Sequence, residues 1–176
     1  MSSTYLVALG SNRRHPLYGC PQGVVRAAME ELAAFGTVTA RSPVLETPAM
    51  GAAQRRFANA ALVLESELAP PALLAALKRT ERAFGRRRGQ RWGDRVLDCD
   101  IILWSEGGWS SPGLAIPHRE YRRRAFVLGP ARAIASHWRD PVSGLSIAQA
   151  HARLTRPRPL PRGARLPHLC GTRVGP

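Results

Sequence analysis

The run from Val96 to Trp104, VLDCDIILW, is apolar and β-type apart from two aspartates at alternate positions. Strand side chains alternate faces, so Asp98 and Asp100 project to one side while Leu97, Cys99, Ile101 and Leu103 project to the other. Their Cα atoms would lie about 6.7 Å apart, where two carboxylates repel by about 2 to 3 kcal/mol at an effective dielectric of about 20. A fold containing this strand must bring positive charge to that face. A divalent cation held by both carboxylates would serve, and an oxygen-only pair suits Mg²⁺ better than zinc. Pairing with surface arginines at a sheet edge would serve as well, and spacing alone does not separate the two.

The remaining segments set the architecture. TYLVAL, Thr4 to Leu9, predicts a buried strand that stops at the turn-forming trio Gly10, Ser11 and Asn12. Arg13 to Gln22 is a loop with two prolines. Val25, Ala28, Met29 and Leu32 recur at helical spacing, which predicts a helix over 23–35 closed by Gly36. Thr37 to Glu46 alternates as a second strand with Val38, Ala40, Ser42 and Val44 on one face. Thr47, Pro48 and Gly51 break the pattern, and Phe57 to Glu65 resumes it as a third strand. Pro70 and Pro71 open a helix that keeps Leu73, Leu74, Leu77 and Phe84 on one side up to Gly85.

After the aspartate strand come a Gly- and Ser-rich return, a helix over 125–135 despite Pro130, and a short last helix capped by Ser146 and carrying Ile147, Ala148 and Leu154. The order strand, helix, strand, strand, helix, strand predicts an α+β fold, a ferredoxin-like sandwich with helices packed on an antiparallel sheet. Residues 1–154 are expected to form the domain. Residues 155–176, where proline and arginine alternate without apolar periodicity, are expected to form a basic tail.

Charge narrows the partners. The chain has 176 residues and a net charge of +14, and Lys78 is the only lysine among 26 basic residues. Such a balance implies an anionic partner: nucleic acid, a phosphorylated substrate, or nothing specific. Two arginine clusters, 79–95 and 119–124, flank the aspartate strand and are assigned to a phosphate site, while the third lies in the tail. Gly85, Gly89 and Gly93 among the arginines predict a mobile, positive loop. No Walker-type G-x-x-x-x-G-K is present, so phosphate binding must come from side chains and metal. The three cysteines lack metal-ligand spacing. No apolar run approaches the roughly 20 residues of a membrane span and no signal-peptide layout is seen, so a cytoplasmic protein is expected, without membrane association.

RWGDRVLDCDIILW resembles the hallmark of the 6-hydroxymethyl-7,8-dihydropterin pyrophosphokinases, R-W-G-P-R-x-L-D-L-D-[IL]. Arg91, Trp92, Gly93, Arg95, Leu97, Asp98 and Asp100 match; Asp94 and Cys99 depart, standing where the family has proline and leucine. Thr47, Pro48, Gly51, Phe57 and Asn59 fit the family's T-P-P-x-G and aromatic-x-Asn, with Ala49 in place of the second proline. Pro117, His118, Tyr121, Arg124, Phe126, Leu128 and Pro130 fit P-H-x-x-[MYF]-x-x-R-x-F-x-L-x-P. Arg119 and Ala115 are departures there.

The resemblance covers about Tyr5 to Ala135 and implies pyrophosphoryl transfer from ATP to a reduced pterin alcohol in folate synthesis, with two Mg²⁺ ions on Asp98 and Asp100. It implies that Arg86 and Arg95 join the two aspartates in catalysis. Glu81, Arg86, Arg88, Arg95, His118 and Arg124 would bind ATP. Thr47, Pro48, Met50, Phe57, Asn59, Trp92, Asp98 and Phe126 would bind the pterin. A flat pterin suits an aromatic wall with amide groups aimed at its edge, and Asn59 offers both donor and acceptor. A monomer without nucleic acid is expected. The competing readings are an arginine-rich nucleic-acid-binding module of the same fold, and a homologue that binds without turnover.

Overall fold

The computed structural model describes residues 2–48, 56–85 and 96–157. Its centre is β1, Ser3–Ser11, flanked by β4, Phe57–Ser66, and β5, Asp98–Trp104; β2, Thr37–Arg41, lies beyond β4. The order β2-β4-β1-β5 is antiparallel at every pair, and the short β3, Leu45–Thr47, extends β4. Antiparallel pairing through a shared neighbour makes β1 parallel to β2 and β4 parallel to β5. The helices α1, Pro21–Glu31, and α2, Pro70–Ala83, make these two crossovers, giving the split βαβ pair of a ferredoxin-like fold. Both helices begin with proline in the first turn, where its missing N–H costs nothing.

The sheet is covered on both faces. Tyr5, Val7 and Leu9 pack with Ala60, Leu62, Leu64, Val25, Met29, Leu73 and Leu77 beneath α1 and α2. Leu6 and Ala8 face the other way and join Ala61, Val63, Val127, Leu128 and Ile147, residues of β4, α3 (Ala125–Ala135) and α4 (Ile147–Thr155). The unbroken apolar run of β1 is the sequence trace of this two-sided burial. As expected, Ser146 caps α4: its hydroxyl accepts from Gln149 N at 3.2 Å, and the Gln149 side chain accepts from Ser146 N at 2.9 Å. Of that helix's expected apolar residues, Ile147 is buried and Leu154 exposed.

Three local expectations change. The helix over 23–35 starts at Pro21 and tightens into a 3₁₀ turn, Leu32–Phe35. It ends at Gly36, where any Cβ would lie 2.1 Å from the Glu65 carbonyl oxygen. The single strand 37–46 is two strands, because Ser42 turns its hydroxyl into the ladder, accepting from Ala61 N at 2.8 Å, and Pro43 has no N–H to continue it. A bulge between Leu6/Leu103 and Val7/Ile101 puts two residues of β5 against one step of β1. Leu103 therefore packs with Ile102 on the α3 side, not with Cys99 and Ile101.

A short hairpin, β6 (Trp109–Ser111) and β7 (Leu114–Ile116), turns at Pro112-Gly113 with Gly113 at φ 80°, and returns the chain to β5. The described chain ends two residues beyond α4, so 158–176, nearly all of the expected tail, lies outside the described residues.

Candidate active site

The bulge at Ile102 comes after the aspartates, so strict alternation holds where it matters. Cys99 and Ile101 enter the core beneath α2, and Asp98 and Asp100 share the opposite face, both half-buried. Opposite them on β1 stand Gly10 and Ala8, and next on β4 stand Asn59 and Ala61. Glycine and alanine make a low floor between the acidic strand and Asn59. A Cβ at position 10 would meet Asn59 Oδ1 at 3.3 Å. With strands spaced by about 4.8 Å, Asn59 and Asp98 stand about 10 Å apart across this floor.

Asn59 is buried, and its Nδ2 donates to Thr47 Oγ1 at 2.9 Å, so the Leu45–Thr47 strand orients it. Phe57, two residues earlier on the same strand, lines an open cleft of about 660 Å³ together with Arg13, Arg14, Arg56 and Glu46. Pro48, directly after β3, is exposed. Phe126, in the first turn of α3, is half-buried against the second core cluster, with the Arg124 guanidinium 5.9 Å from its ring centre.

His118 is held beside the aspartates by main-chain bonding. Its N–H donates to Ile102 O at 3.1 Å, and its Nδ1 accepts from Glu120 N at 3.2 Å. An accepting Nδ1 leaves the proton of the neutral ring on Nε2, which faces Asp100 Oδ2 at 3.8 Å. Burial pushes the His118 pKa below its ordinary value; attraction to Asp100 opposes this and Arg124 adds to it. The imidazole at this site is therefore a neutral donor near neutral pH.

Glu81 is fully buried, not at the surface. Its Oε1 accepts from Cys99 N at 2.8 Å and from Lys78 Nζ at 2.6 Å, and Lys78 also donates to Cys99 O at 3.1 Å. These two α2 side chains supply the outer edge of β5 with the partners a further strand would give. Lys78 Nζ then stands 3.8 Å from Asp100 Oδ1. The sequence reading did not place Lys78 at the site. Its trace was being the only lysine of the chain, three residues before Glu81 on one helical face.

One arginine of the second cluster has another task. Arg122 forks onto buried Asp140, Nη2 to Oδ1 at 2.8 Å with a second, shorter contact from Nε to Oδ2, and so ties the turn before α3 to the turn before α4. That corrects the assignment of the whole 119–124 cluster to phosphate. Met50, Arg86, Arg88, Arg91, Trp92 and Arg95 lie outside the described residues.

The donor set fits magnesium. Asp98 and Asp100 offer oxygen only, and no group of three or more His, Cys, Asp or Glu forms a metal cluster among the described residues. A cation there would draw its remaining ligands from water and substrate, as Mg²⁺ characteristically does.

Fold and site together define a ferredoxin-like α+β protein with an acidic pair on its edge strand and a buried amide in the same cross-strand row. The profile of the 7,8-dihydro-6-hydroxymethylpterin-pyrophosphokinase (HPPK) family matches residues 6–136, and the chain belongs to that family. It is 38% identical over 157 residues to the 2-amino-4-hydroxy-6-hydroxymethyldihydropteridine pyrophosphokinase of Methylorubrum extorquens, covering 88% of this chain and 94% of that one. To the enzyme of the same name from Pseudomonas aeruginosa it is 39% identical, covering 77% and 82%. The crystal structure of Plasmodium falciparum HPPK-DHPS superposes with a TM-score of 0.69 at 11% identity over 87% of this chain. That likeness concerns the fold, and the chain spans 41% of that longer protein.

Proposed function

We propose that the chain transfers the pyrophosphoryl group of ATP to the hydroxymethyl oxygen of 6-hydroxymethyl-7,8-dihydropterin, the step that commits the pterin to folate, with Asp98 and Asp100 as its metal-holding residues. The observation that carries the site assignment is the shared face of the two carboxylates, in cross-strand register with Asn59 over Gly10. In this reading the pterin lies between Phe57 and Phe126. Asn59 and the backbone near Thr47 and Pro48 meet its polar edge, and Asp98 stands at its hydroxymethyl end. Met50 and Trp92 are assigned to the same pocket on the motif alone.

The hydroxyl oxygen attacks the β-phosphorus in line, the bond from that phosphorus to the α,β-bridging oxygen breaks, AMP leaves, and the hydroxyl proton passes to water. Asp98 and Asp100 would hold magnesium, two ions in this reading, which would supply positive charge to the phosphates and lower the pKa of the attacking hydroxyl. His118 donates Nε2–H to a phosphate oxygen without adding a charge that varies near pH 7. Arg124, with Arg86, Arg88 and Arg95 from the matched motif, balances the charge that grows on the phosphates. Glu81, having no exposed surface, acts through Lys78 and the β5 edge instead of touching ATP.

A nucleic-acid-binding module gains little support, because among the described residues helices pack on both faces of the sheet and the strand surface they leave carries the two carboxylates, which would repel a phosphate backbone. No helix among the described residues is long and apolar enough to cross a membrane. The reading includes a cytoplasmic monomer whose domain ends with α4. The direct test is to incubate the protein with MgATP and the reduced pterin alcohol and identify the nucleotide product. AMP is expected; ADP or no turnover would refute the proposal.

A further inference from the structure

Lys78 is anchored in a way that has nothing to do with solvation. Two of its three ammonium protons are taken by Glu81 Oε1 at 2.6 Å and Cys99 O at 3.1 Å, and Glu81 has no exposed surface. Withdrawing the lysine would break a charge-assisted bond to a buried carboxylate and a second bond to the strand edge, so the ammonium stays where it is. The third proton is left on the side of Asp100, whose Oδ1 is 3.8 Å away, too far for a hydrogen bond. Every other basic residue of the chain is arginine. A compact ammonium fits between a helix and a strand edge where a planar guanidinium would not.

A fixed positive charge beside a metal-holding carboxylate acts in opposite directions on the two forms in which a metal can arrive. It repels a bare divalent cation. It attracts a metal–triphosphate complex, which is an anion as a whole. We propose that Lys78 is a charge-selecting residue that makes the Asp98–Asp100 pair accept its cation together with the nucleotide rather than ahead of it. This rests on the reading that those aspartates hold magnesium.

The test uses the full chain and needs no turnover. Binding of Mn²⁺ alone, and of Mn²⁺ with α,β-methylene-ATP, is followed by electron paramagnetic resonance for the wild type and for Lys78→Met combined with Glu81→Gln. The second change removes the buried negative charge together with the positive one, and its amide oxygen can still accept from Cys99 N. Lys78→Gln alone is the second variant, since its amide can donate to Glu81.

Free Mn²⁺ should bind about tenfold more tightly to the variants, and the Mn²⁺–nucleotide complex about tenfold more weakly. Unchanged affinities, or two affinities moving in the same direction, would overturn the assignment to Lys78. Asp100→Asn separates this failure from that of the underlying reading. If Asp100→Asn binds the Mn²⁺–nucleotide complex as the wild type does, the aspartates are not the metal ligands and both proposals fall. If it loses that binding while the Lys78 variants behave as wild type, only the selection by Lys78 falls.

Discussion

Asn59 and Asp98 stand in one cross-strand row with only Gly10 between them. The absence of a side chain at position 10 joins the amide to the acidic pair over a shared floor. Gly10→Ala would place a Cβ 3.3 Å from Asn59 Oδ1, forcing the amide to shift and loosening its 2.9 Å bond to Thr47. Loss of one aimed hydrogen bond is worth about 1 to 2 kcal/mol, so the KM for the pterin should rise about tenfold while that for ATP hardly moves. Gly10→Leu should abolish pterin binding and spare nucleotide binding. Separate calorimetric titrations of the two ligands check both variants.

Removing either carboxylate should cost far more. Asp98→Ala or Asp100→Ala deletes one of two oxygen ligands, and the charge stabilisation a metal supplies amounts to several kcal/mol, so kcat should drop by about a thousandfold or more. The AMP-release assay measures it, with thermal unfolding run alongside to show that the chain still folds. Near-normal turnover in either variant would end the metal assignment.

The aspartate pair was legible because strand periodicity is local: two residues apart means one face, whatever lies elsewhere. Leu103 was misplaced because the bulge that flips it comes from its pairing with Leu6, which no window on β5 contains. Ser42 and Pro43 broke a strand that alternation had kept whole, since apolar spacing does not register a hydroxyl replacing a ladder acceptor. Lys78 escaped for a related reason. Helical spacing fixes the face of a side chain but not the neighbouring strand edge it can reach. Arg122 looked like one more phosphate ligand because its partner, Asp140, lies 18 residues further on.

His118 titrates under opposing influences that mutation can separate. Burial lowers its pKa first, Asp100 raises it and Arg124 lowers it. Asp100→Asn should therefore move the imidazole titration further toward acid, and Arg124→Gln should move it back, both followed by proton NMR of the ring. The linkage to stability has one sign. The unfolded imidazole takes up its proton near pH 6.5 while the folded one resists, so this contribution is complete above about pH 6.5 and is lost as the pH falls below it. His118→Gln should flatten that part of the stability profile.

Asp140 is almost wholly buried, and burial alone would raise its pKa. The Arg122 fork, the Val142 N–H at 2.9 Å and the Ser143 hydroxyl at 2.8 Å outweigh burial and hold the carboxyl well below the usual carboxylate range. A depressed carboxylate contributes stability above its unfolded pKa of about 3.9 and loses it as the pH drops through the folded value. Asp140→Asn breaks a largely buried charge pair and should destabilise the protein by about 3 kcal/mol at pH 7. Urea unfolding of wild type and variant should show that gap closing as the pH falls below 4, where the wild-type carboxylate begins to lose its advantage. The asparagine has no charge to titrate, so its own curve should change less over the same interval. A gap that stays constant down to pH 2 would mean that shape, not charge, makes Asp140 the anchor between α3 and α4.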